Sequence, residues 1–376
     1  SNVYIENTGT YEAESKGTTT FALTSKAATV LPTSYIAFHH GAFTASDYSS
    51  AYSTVGAAAT AGFVYSDTTP ATYTWGTLNS VDTSTTGQTG YSWTPTSTMT
   101  ADVLMVAGGG GGGETSGGSA GGGGAGGLVF NASQTLSGTK TIVVGAGGAN
   151  HVNGNDTTFT SLTTADGGGR GASAGESGGN GGSGGGTSHH YPSSPGTGVS
   201  GQGNAGGNAG NNSYRTGGGG GGAGGVGGNS STSSQLGGVG GIGLNYSSTF
   251  GTIYGESGWF AGGGAGCSQS TATPAVGGTG GGGYSSTDVG TADALSGQSH
   301  TGGGGGGAGG EGGSGIVLIR SGPSPASPSL THDGYKLVVS GITPTSTSLR
   351  LGSNTYEIGS ATNIYVKDTG AYTAEI

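Results

Sequence analysis

The stretch Val103-Leu-Met-Val-Ala107 leads directly into residues 108–113, which are six consecutive glycines. Two further glycine hexamers occupy residues 217–222 and 302–307, and the last is followed a few residues later by Ile316-Val-Leu-Ile319. A flexible linker has no need for β-branched strand residues at both ends. The flanking apolar stretches therefore predict that the glycine runs belong to an ordered structure.

Glycine dominates the composition. It accounts for 93 of the 376 residues, whereas proline occurs 10 times and charged residues make up 7% of the chain. Collagen requires glycine at every third position with abundant proline between, and here the glycines come in blocks. Disordered chains are usually rich in charge, which this chain is not. The composition therefore indicates a fold built from glycine runs.

The charge pattern excludes several kinds of partner. The formal net charge is -10 with a pI near 4.9, and the 9 Lys and Arg residues are scattered singly. Binding to nucleic acid needs clustered basic residues, so we expect no nucleic-acid partner. Apolar runs reach about five residues, far short of the roughly 20 that span a bilayer, so we expect no membrane insertion.

The chain divides by composition into four regions. Residues 1–29 alternate apolar and hydroxyl residues, and residues 30–100 hold aromatic pairs such as Tyr91 and Trp93 at the period of two typical of strands. Residues 101–321 form the glycine-rich block, and residues 322–376 combine a proline-containing linker with a return to strand pattern. We predict a mainly β fold with essentially no α-helix, in which small β-sandwich modules flank the glycine-rich domain.

A repeated sequence links the two ends of the chain. The segments 2–14 and 363–375 share Asn, Tyr, Thr, Gly, Tyr, Ala and Glu at equivalent positions. Residues 1–29 are then the end of a repeated β-module, and residues 322–376 are a linker and the start of the next module. Two interpretations stay open: the chain is a slice of a longer repetitive protein, or it is a subunit whose ends complete one another head to tail.

The glycine block is expected to adopt the polyglycine II conformation, an extended helix with three residues per turn and no internal hydrogen bonds. Each N–H and C=O group must then find a partner in a neighbouring run. Because glycine lacks Cβ, such helices can approach closely enough to make these bonds. The block contains about eight to ten runs. We predict that they pack side by side as a polyglycine II helix sandwich.

The segments between the runs carry most of the aromatic residues of the block in polar surroundings. A rigid scaffold that presents such loops is a common design for a recognition surface. The candidate binding residues are His189, His190, Tyr191, Tyr214, Arg215, Tyr246, Tyr254, Trp259 and Tyr284. Aromatic faces beside hydroxyl and amide groups suit sugar rings. For Tyr254 and Trp259 a second interpretation stays open, in which they cap one end of the bundle.

Signals for catalysis or cofactor binding are weak. Gly-x-Gly-x-x-Gly occurs many times but carries no information in so glycine-rich a chain, and no helix follows it. The His pairs at 39–40 and 189–190 lack a Cys or a carboxylate at ligand spacing, and Cys267 lacks an assignable base. The acidic residues of the block are too scattered for a glycosidase pair. We expect no enzymatic activity, no catalytic residues, no cofactor and no metal.

Several motifs resemble the glycine-rich domain of bacteriophage tail-fibre proteins. They are the stretch that begins at Val103, Thr-Ile-Val-Val-Gly-Ala-Gly-Gly at 141–148, Gly-Asn-Asp-Thr-Thr-Phe at 154–159, and Gly-Gly-Ser-Gly-Ile-Val-Leu-Ile at 312–319. The pattern is common in marine phages, including cyanophage-type fibres, and is similar in principle to the tip adhesin of T-even long tail fibres. The resemblance implies a sandwich of polyglycine II helices whose interleaving loops contact the host.

We therefore expect a structural and adhesive segment of a virion tail fibre that binds a host-surface glycan or outer-membrane protein. Copies of the chain are expected to associate head to tail or as a homotrimeric fibre. The alternative is a repeating structural unit of a secreted extracellular filament, in which the bundle supplies stiffness and binds no specific ligand. The aromatic loops favour the adhesin, whereas the repeat at the chain ends favours the alternative or a position along the shaft.

Overall fold

The computed structural model describes residues 2–5, 13–14, 20–25, 35–40, 76–95, 97–114, 119–189, 193–210, 215–231, 233–269, 274–286 and 294–321, and strands between residues 329 and 375. The chain forms two compact units. One combines Ser1–Pro32 with Gly322–Ile376, and the other comprises Thr33–Ser321.

The described secondary structure consists of short strands and one helical turn, α1 (Ser247–Phe250). The strands are β1 (Asn2–Ile5), β2 (Ala13–Glu14), β3 (Thr20–Ser25), β4 (Tyr35–His39), β5 (Gly76–Asp82), β6 (Gln88–Pro95), β7 (Met99–Val106), β8 (Leu128–Leu136), β9 (Lys140–Gly145), β10 (Thr158–Phe159), β11 (Leu244–Asn245), β12 (Trp259–Phe260), β13 (Ile316–Ser321), β14 (Ser329–Asp333), β15 (Lys336–Ser340), β16 (Thr347–Leu351), β17 (Asn354–Gly359), β18 (Asn363–Val366) and β19 (Thr373–Glu375). Over the described residues the fold is mainly β, with open sheets that are antiparallel apart from one parallel pair and with essentially no helix, which confirms the predicted fold class.

The unit formed by Ser1–Pro32 and Gly322–Ile376 contains two sheets, with strand orders β14-β15-β18-β1-β2 and β17-β16-β3-β19. Strand β1 pairs antiparallel with β18, and Tyr4 lies opposite Tyr365 in the register. The first halves of the two repeated segments therefore adjoin in one sheet. Their second halves lie in different sheets, because β2 pairs with β1 whereas β19 pairs in parallel with β3.

In the unit Thr33–Ser321, two four-stranded sheets pack face to face. Their orders are β10-β9-β6-β5 and β4-β13-β7-β8. The core between them includes the buried residues Phe38, Trp93, Met105 and Val317. Strand β6 alternates between buried and half-buried residues, as the period of two at Tyr91 and Trp93 predicts. The aromatic-rich sequence before residue 100 thus supplies one half of a β-sandwich.

In the sheet β4-β13-β7-β8, the central strands β13 and β7 are buried on both faces over residues 316–320 and 101–106. Leu104 and Leu318 point away from the sandwich core and pack in a second apolar cluster with Phe250 and Phe260. A sheet covered on both sides needs continuous apolar strands rather than alternating ones. This explains the uninterrupted apolar runs at 103–107 and 316–319. The domain boundary predicted between residues 100 and 101 lies inside strand β7, and the sheet of β7 also contains β4 from before this boundary and β13 from after it.

The first glycine run extends strand β7 and shows a three-residue repeat of hydrogen bonds. Residues 108 and 111 donate their N–H groups to the run at 152–155, residues 109 and 112 to the run at 310–313, and residues 110 and 113 to the run at 121–124. The six N···O distances are 2.8–3.0 Å. A backbone that turns to a new neighbour at each residue and returns after three has the periodicity of polyglycine II.

The run at 217–222 has six neighbours. It donates N–H groups to the runs at 184–187, 225–228 and 264–267, and its carbonyls accept from the runs at 122–125, 204–207 and 238–241. A Cβ added at Gly219 would overlap the carbonyl oxygen of Val239, and one added at Gly220 would overlap that of Gly123. Only glycine fits at such positions. The glycine block is therefore a polyglycine II helix sandwich, as predicted.

Candidate functional site

The glycine runs alternate in direction, so their connections gather at two ends. Ala107, at the end of strand β7, donates to the carbonyl of Gly127, whereas Gly113 donates to that of Gly121. Residues 107 and 127 therefore lie at the end next to the β-sheets, named here the sheet end. Residues 113 and 121 lie at the opposite end, named the far end. The hydrogen-bond register assigns the other runs to the same two ends.

Two of the candidate binding residues, His189 and Arg215, lie at the far end. The N–H of His189 donates to Ser119 Oγ at 2.6 Å, and the N–H of Arg215 donates to Gln269 Oε1 at 3.0 Å. The Arg215 residue is exposed and His189 is half-buried. His189 follows the run at 184–186, and Arg215 precedes the run at 217–222, at the level where both runs reach this end of the bundle. Sequence reasoning thus named residues from two separate segments that the fold brings to the same end.

Beneath the far-end segments lies a set of buried hydroxyl residues, named here the hydroxyl row. Each accepts one backbone N–H from a neighbouring segment. The pairs are Ser119 with His189, Ser173 with Glu114, Thr187 with Ala209, Ser230 with Gly210, Ser268 with Gly237, and Ser285 with Ala275, at 2.5–3.1 Å. The hydroxyls thus replace carbonyl acceptors where the glycine lattice ends. Sequence analysis missed them, although each lies one or two positions from a glycine run.

Three other candidates lie at the sheet end. Tyr246 and Tyr254 are half-buried and pack against the cluster of Phe250 and Phe260, and Trp259 lies in the two-residue strand β12. The Tyr246 ring lies 5.2 Å from that of Phe130, and burial raises the pKa of the Tyr246 hydroxyl. The structure does not bring this group together with His189 and Arg215. For Tyr254 the packing favours the capping interpretation.

Tyr284 is 42% exposed, and the hydroxyl-row residue Ser285 follows it. The Tyr284 carbonyl accepts the N–H of Leu295 at 3.0 Å, so Tyr284 lies on the side of the bundle towards the far end. The remaining candidates, His190, Tyr191 and Tyr214, lie outside the described residues.

An ionic cluster at the edge of the far end was not predicted. Arg170 Nη1 lies 2.7 Å from Glu176 Oε2, and His151 Nε2 lies 3.0 Å from the same oxygen. The hydrogen bond from Arg170 lowers the pKa of the exposed Glu176 carboxyl. His151 Nδ1 is 3.0 Å from Ser173 Oγ, but Ser173 is buried and already accepts the N–H of Glu114. The cluster therefore clamps a turn and does not expose a nucleophile.

Cys267 is fully buried. Burial raises the pKa of the Cys267 thiol to about 11, so the thiolate form that attacks electrophiles is disfavoured. In the described ranges, no group of three or more His, Cys, Asp or Glu residues could hold a metal ion. The same part of the chain contains no helix with the length and apolar character needed to cross a membrane.

The comparisons with known proteins agree with this architecture. Residues 83–322 match a family of glycine-rich domains. The matched segment extends from strand β6 to the end of strand β13 and contains all three glycine hexamers. No curated protein and no solved structure matches the chain.

Proposed function

Since this chain belongs to the family of glycine-rich domains, we propose that it is a structural and adhesive segment of a phage tail fibre. In this proposal the polyglycine bundle is a rigid arm, and its far-end loops bind a receptor on the host cell surface. The receptor is a glycan or an outer-membrane protein. The chain would then be located in the virion tail fibre and would have no enzymatic role.

The observation that carries the proposal is a scaffold held together by backbone bonds that stops at a defined far end. Runs such as 217–222 satisfy their N–H and C=O groups with six neighbours, and the hydroxyl row accepts the N–H groups where the lattice stops. Recognition residues in proteins lie most often on loops that a rigid scaffold positions. The far-end loops can therefore differ in sequence without disturbing the scaffold.

The described far-end residues suit a polar surface ligand. The exposed guanidinium of Arg215 can form paired hydrogen bonds with a carboxylate or a phosphate, which are common on bacterial surface polysaccharides. The backbone N–H of Arg215 is fixed by Gln269, which limits the entropy lost on binding. Tyr284, 42% exposed, offers an aromatic face for a sugar ring.

The test is attachment of the fluorescently labelled full chain to a panel of marine bacterial cells, and to lipopolysaccharide and outer-membrane vesicles purified from any strain that is bound. We expect saturable binding that falls at least tenfold when residues 190–192 and 211–214 are replaced together by Gly and Ser. Ile253→Ser, an exposed position between α1 and β12 at the sheet end, is the matched control and should bind normally. Unchanged binding of the loop variant contradicts the proposal.

The alternative function, a stiffening unit of an extracellular filament, is favoured by a separate observation. The repeated sequence at the two chain ends forms the neighbouring strands β1 and β18. This pairing joins the two ends of one chain; the same pairing exchanged between the ends of successive copies would link them head to tail. Electron micrographs that show long filaments with a regular repeat, together with no binding to any cell in the panel, would support this function over adhesion.

A further inference from the structure

One face of the bundle carries apolar side chains at regular intervals. In residues 236–243 they recur at every third position, as Leu236, Val239 and Ile242. Because polyglycine II has three residues per turn, these side chains project from the same side of the run. Val226 and Val276 extend the set on adjacent runs. These five residues are named here the valine face, and their exposed fractions are 37% (Leu236), 49% (Val239), 45% (Ile242), 66% (Val226) and 48% (Val276).

Backbone hydrogen bonds show that the valine face is continuous. Gly228 donates to the carbonyl of Val239 at 2.8 Å, and Gly240 donates to that of Val276 at 3.0 Å. The three runs are therefore neighbours on the bundle surface. The Cγ2 atoms of Val239 and Ile242 lie against Gly228 and Gly225 of the next run. The result is a surface of methyl rows that alternate with glycine backbone.

Polar side chains at other edges of the bundle have a different role. Asn153 Oδ1 accepts the N–H of Arg170, Asn180 Oδ1 accepts that of Thr197, and Asn204 donates to the carbonyl of Gly222, each at 2.8 Å. These amides tie the peripheral runs to the lattice. Val, Ile and Leu cannot form such bonds, and each remains in water at an unfavourable free energy. Their concentration on one face indicates that another surface covers it.

The charge distribution identifies the kind of surface. The chain carries a net charge of -10, whereas residues 225–243 and 274–279 contain no charged side chain. Two copies of so acidic a protein repel one another over most of their surface. On the valine face this repulsion is weakest, and the gain from burying apolar side chains is largest.

We propose that the valine face is the contact between two copies of this chain, packed face to face about a two-fold axis that passes beside Val239, the central residue of the face. A second copy presents the same spacing of methyl rows, roughly 9 Å for three residues of polyglycine II. The rows of one copy can therefore enter the glycine grooves of the other along the whole face. Such a self-complementary patch is the usual basis of a two-fold dimer.

The test is the mass of the full chain in solution, measured by sedimentation equilibrium up to about 100 μM, a range in which micromolar dimers are populated. We expect a dimer that Val226→Glu/Val239→Glu converts to a monomer with an unchanged circular dichroism spectrum. Val152→Glu is the matched control, since Val152 is an exposed valine (51%) on another run, and it should remain dimeric. A monomeric wild type, a dimeric double variant or a monomeric control overturns the proposal.

A second variant keeps the test decisive if the glutamates prevent folding. In the variant Val239→Cys the new side chain is smaller than valine, so it should not disturb folding. The native Cys267 is fully buried and will not form a cross-link between copies. Mild oxidation should convert at least half of the variant to a disulfide-linked dimer through position 239. Failure to form this cross-link while the protein remains dimeric places the contact elsewhere and overturns the proposal.

Discussion

The backbone N–H of Ala120 donates a hydrogen bond to the Sγ atom of Cys267 across 2.9 Å. Both residues are fully buried where two neighbouring glycine runs reach the far end, and Ala308 completes a small apolar cluster with them. At the far end, the serine and threonine side chains of the hydroxyl row accept backbone N–H groups. The sulfur of Cys267 accepts the N–H of Ala120 in the same way. The ionisation of this thiol is consequently coupled to folding.

We predict a loss of stability at alkaline pH that depends on Cys267. Burial raises the pKa of its thiol from 9.0 to about 11. Between these values the unfolded chain releases the proton and the folded chain keeps it, so the stabilisation is complete below pH 9 and is lost as pH rises through 11. Chemical denaturation at pH 8 and 10.5 should show a loss of about 2 kcal/mol for wild type beyond that for Cys267→Ser. Equal losses in both proteins would show that the thiol is not buried.

We predict that a single methyl group added inside the lattice is destabilising. The Cβ of Gly219→Ala would overlap the carbonyl oxygen of Val239, so neighbouring runs must separate. We expect the melting temperature to fall by about 5 °C or more. Gly90→Ala in strand β6 is the matched control, because its Cβ would lie at an ordinary 3.5 Å from Asp82 Cβ. Similar melting temperatures for the two variants, measured by calorimetry, would contradict close packing of the runs.

We predict that the hydroxyl row anchors the far-end segments. Thr187 is 1% exposed, and its Oγ1 accepts the N–H of Ala209 at 2.5 Å. Thr187→Val keeps the shape but leaves that N–H without its acceptor, at a cost of about 1–3 kcal/mol. Amide hydrogen exchange at Ala209 should accelerate at least tenfold, whereas Thr187→Ser should retain protection. Unchanged exchange in the valine variant would show that the hydroxyl contributes nothing.

We predict that Tyr254, at the sheet end, contributes to stability and not to attachment, and that Arg215, at the far end, contributes to attachment and not to stability. Tyr254→Ala removes a ring packed against Phe250 and Phe260 at the sheet end and should cost about 1–3 kcal/mol of stability with attachment to cells unchanged. Arg215→Ala removes an exposed side chain and should leave the melting curve within about 1 °C while weakening attachment. The measurements are calorimetry and the cell-binding assay. Loss of attachment only in the Tyr254 variant would move the binding surface to the sheet end.

The features that could be predicted from sequence are the strands and the polyglycine II runs, because both follow from the pattern of neighbouring residues. Apolar runs at both ends of the glycine block indicated strands, and the need to satisfy glycine N–H and C=O groups indicated side-by-side polyglycine II runs. The hydrogen-bond pattern of residues 108–113 confirms that arrangement. These inferences succeed because strand alternation and peptide hydrogen bonding are set by the residues themselves.

Features that depend on the order of the runs could not be predicted. No local signal shows that Ser119 meets His189, or that His151, Arg170 and Glu176 share one turn. These contacts depend on which run adopts which position in the lattice. Glycine runs are nearly identical to one another, so their sequence gives little indication of their neighbours. For the same reason, the sequence gives no indication that the candidate binding residues Tyr246 and Arg215 lie at opposite ends.

The six neighbours of a run such as 217–222 have a consequence for how the fold responds to temperature. The interior of the bundle buries peptide groups and very little hydrocarbon. Exposure of apolar surface raises the heat capacity on unfolding, whereas exposure of polar surface lowers it. The heat-capacity change per residue should therefore lie well below the usual value of about 12–15 cal/mol/K. A smaller heat-capacity change flattens the stability curve, so the glycine bundle should keep nearly constant stability from near-freezing to warm water.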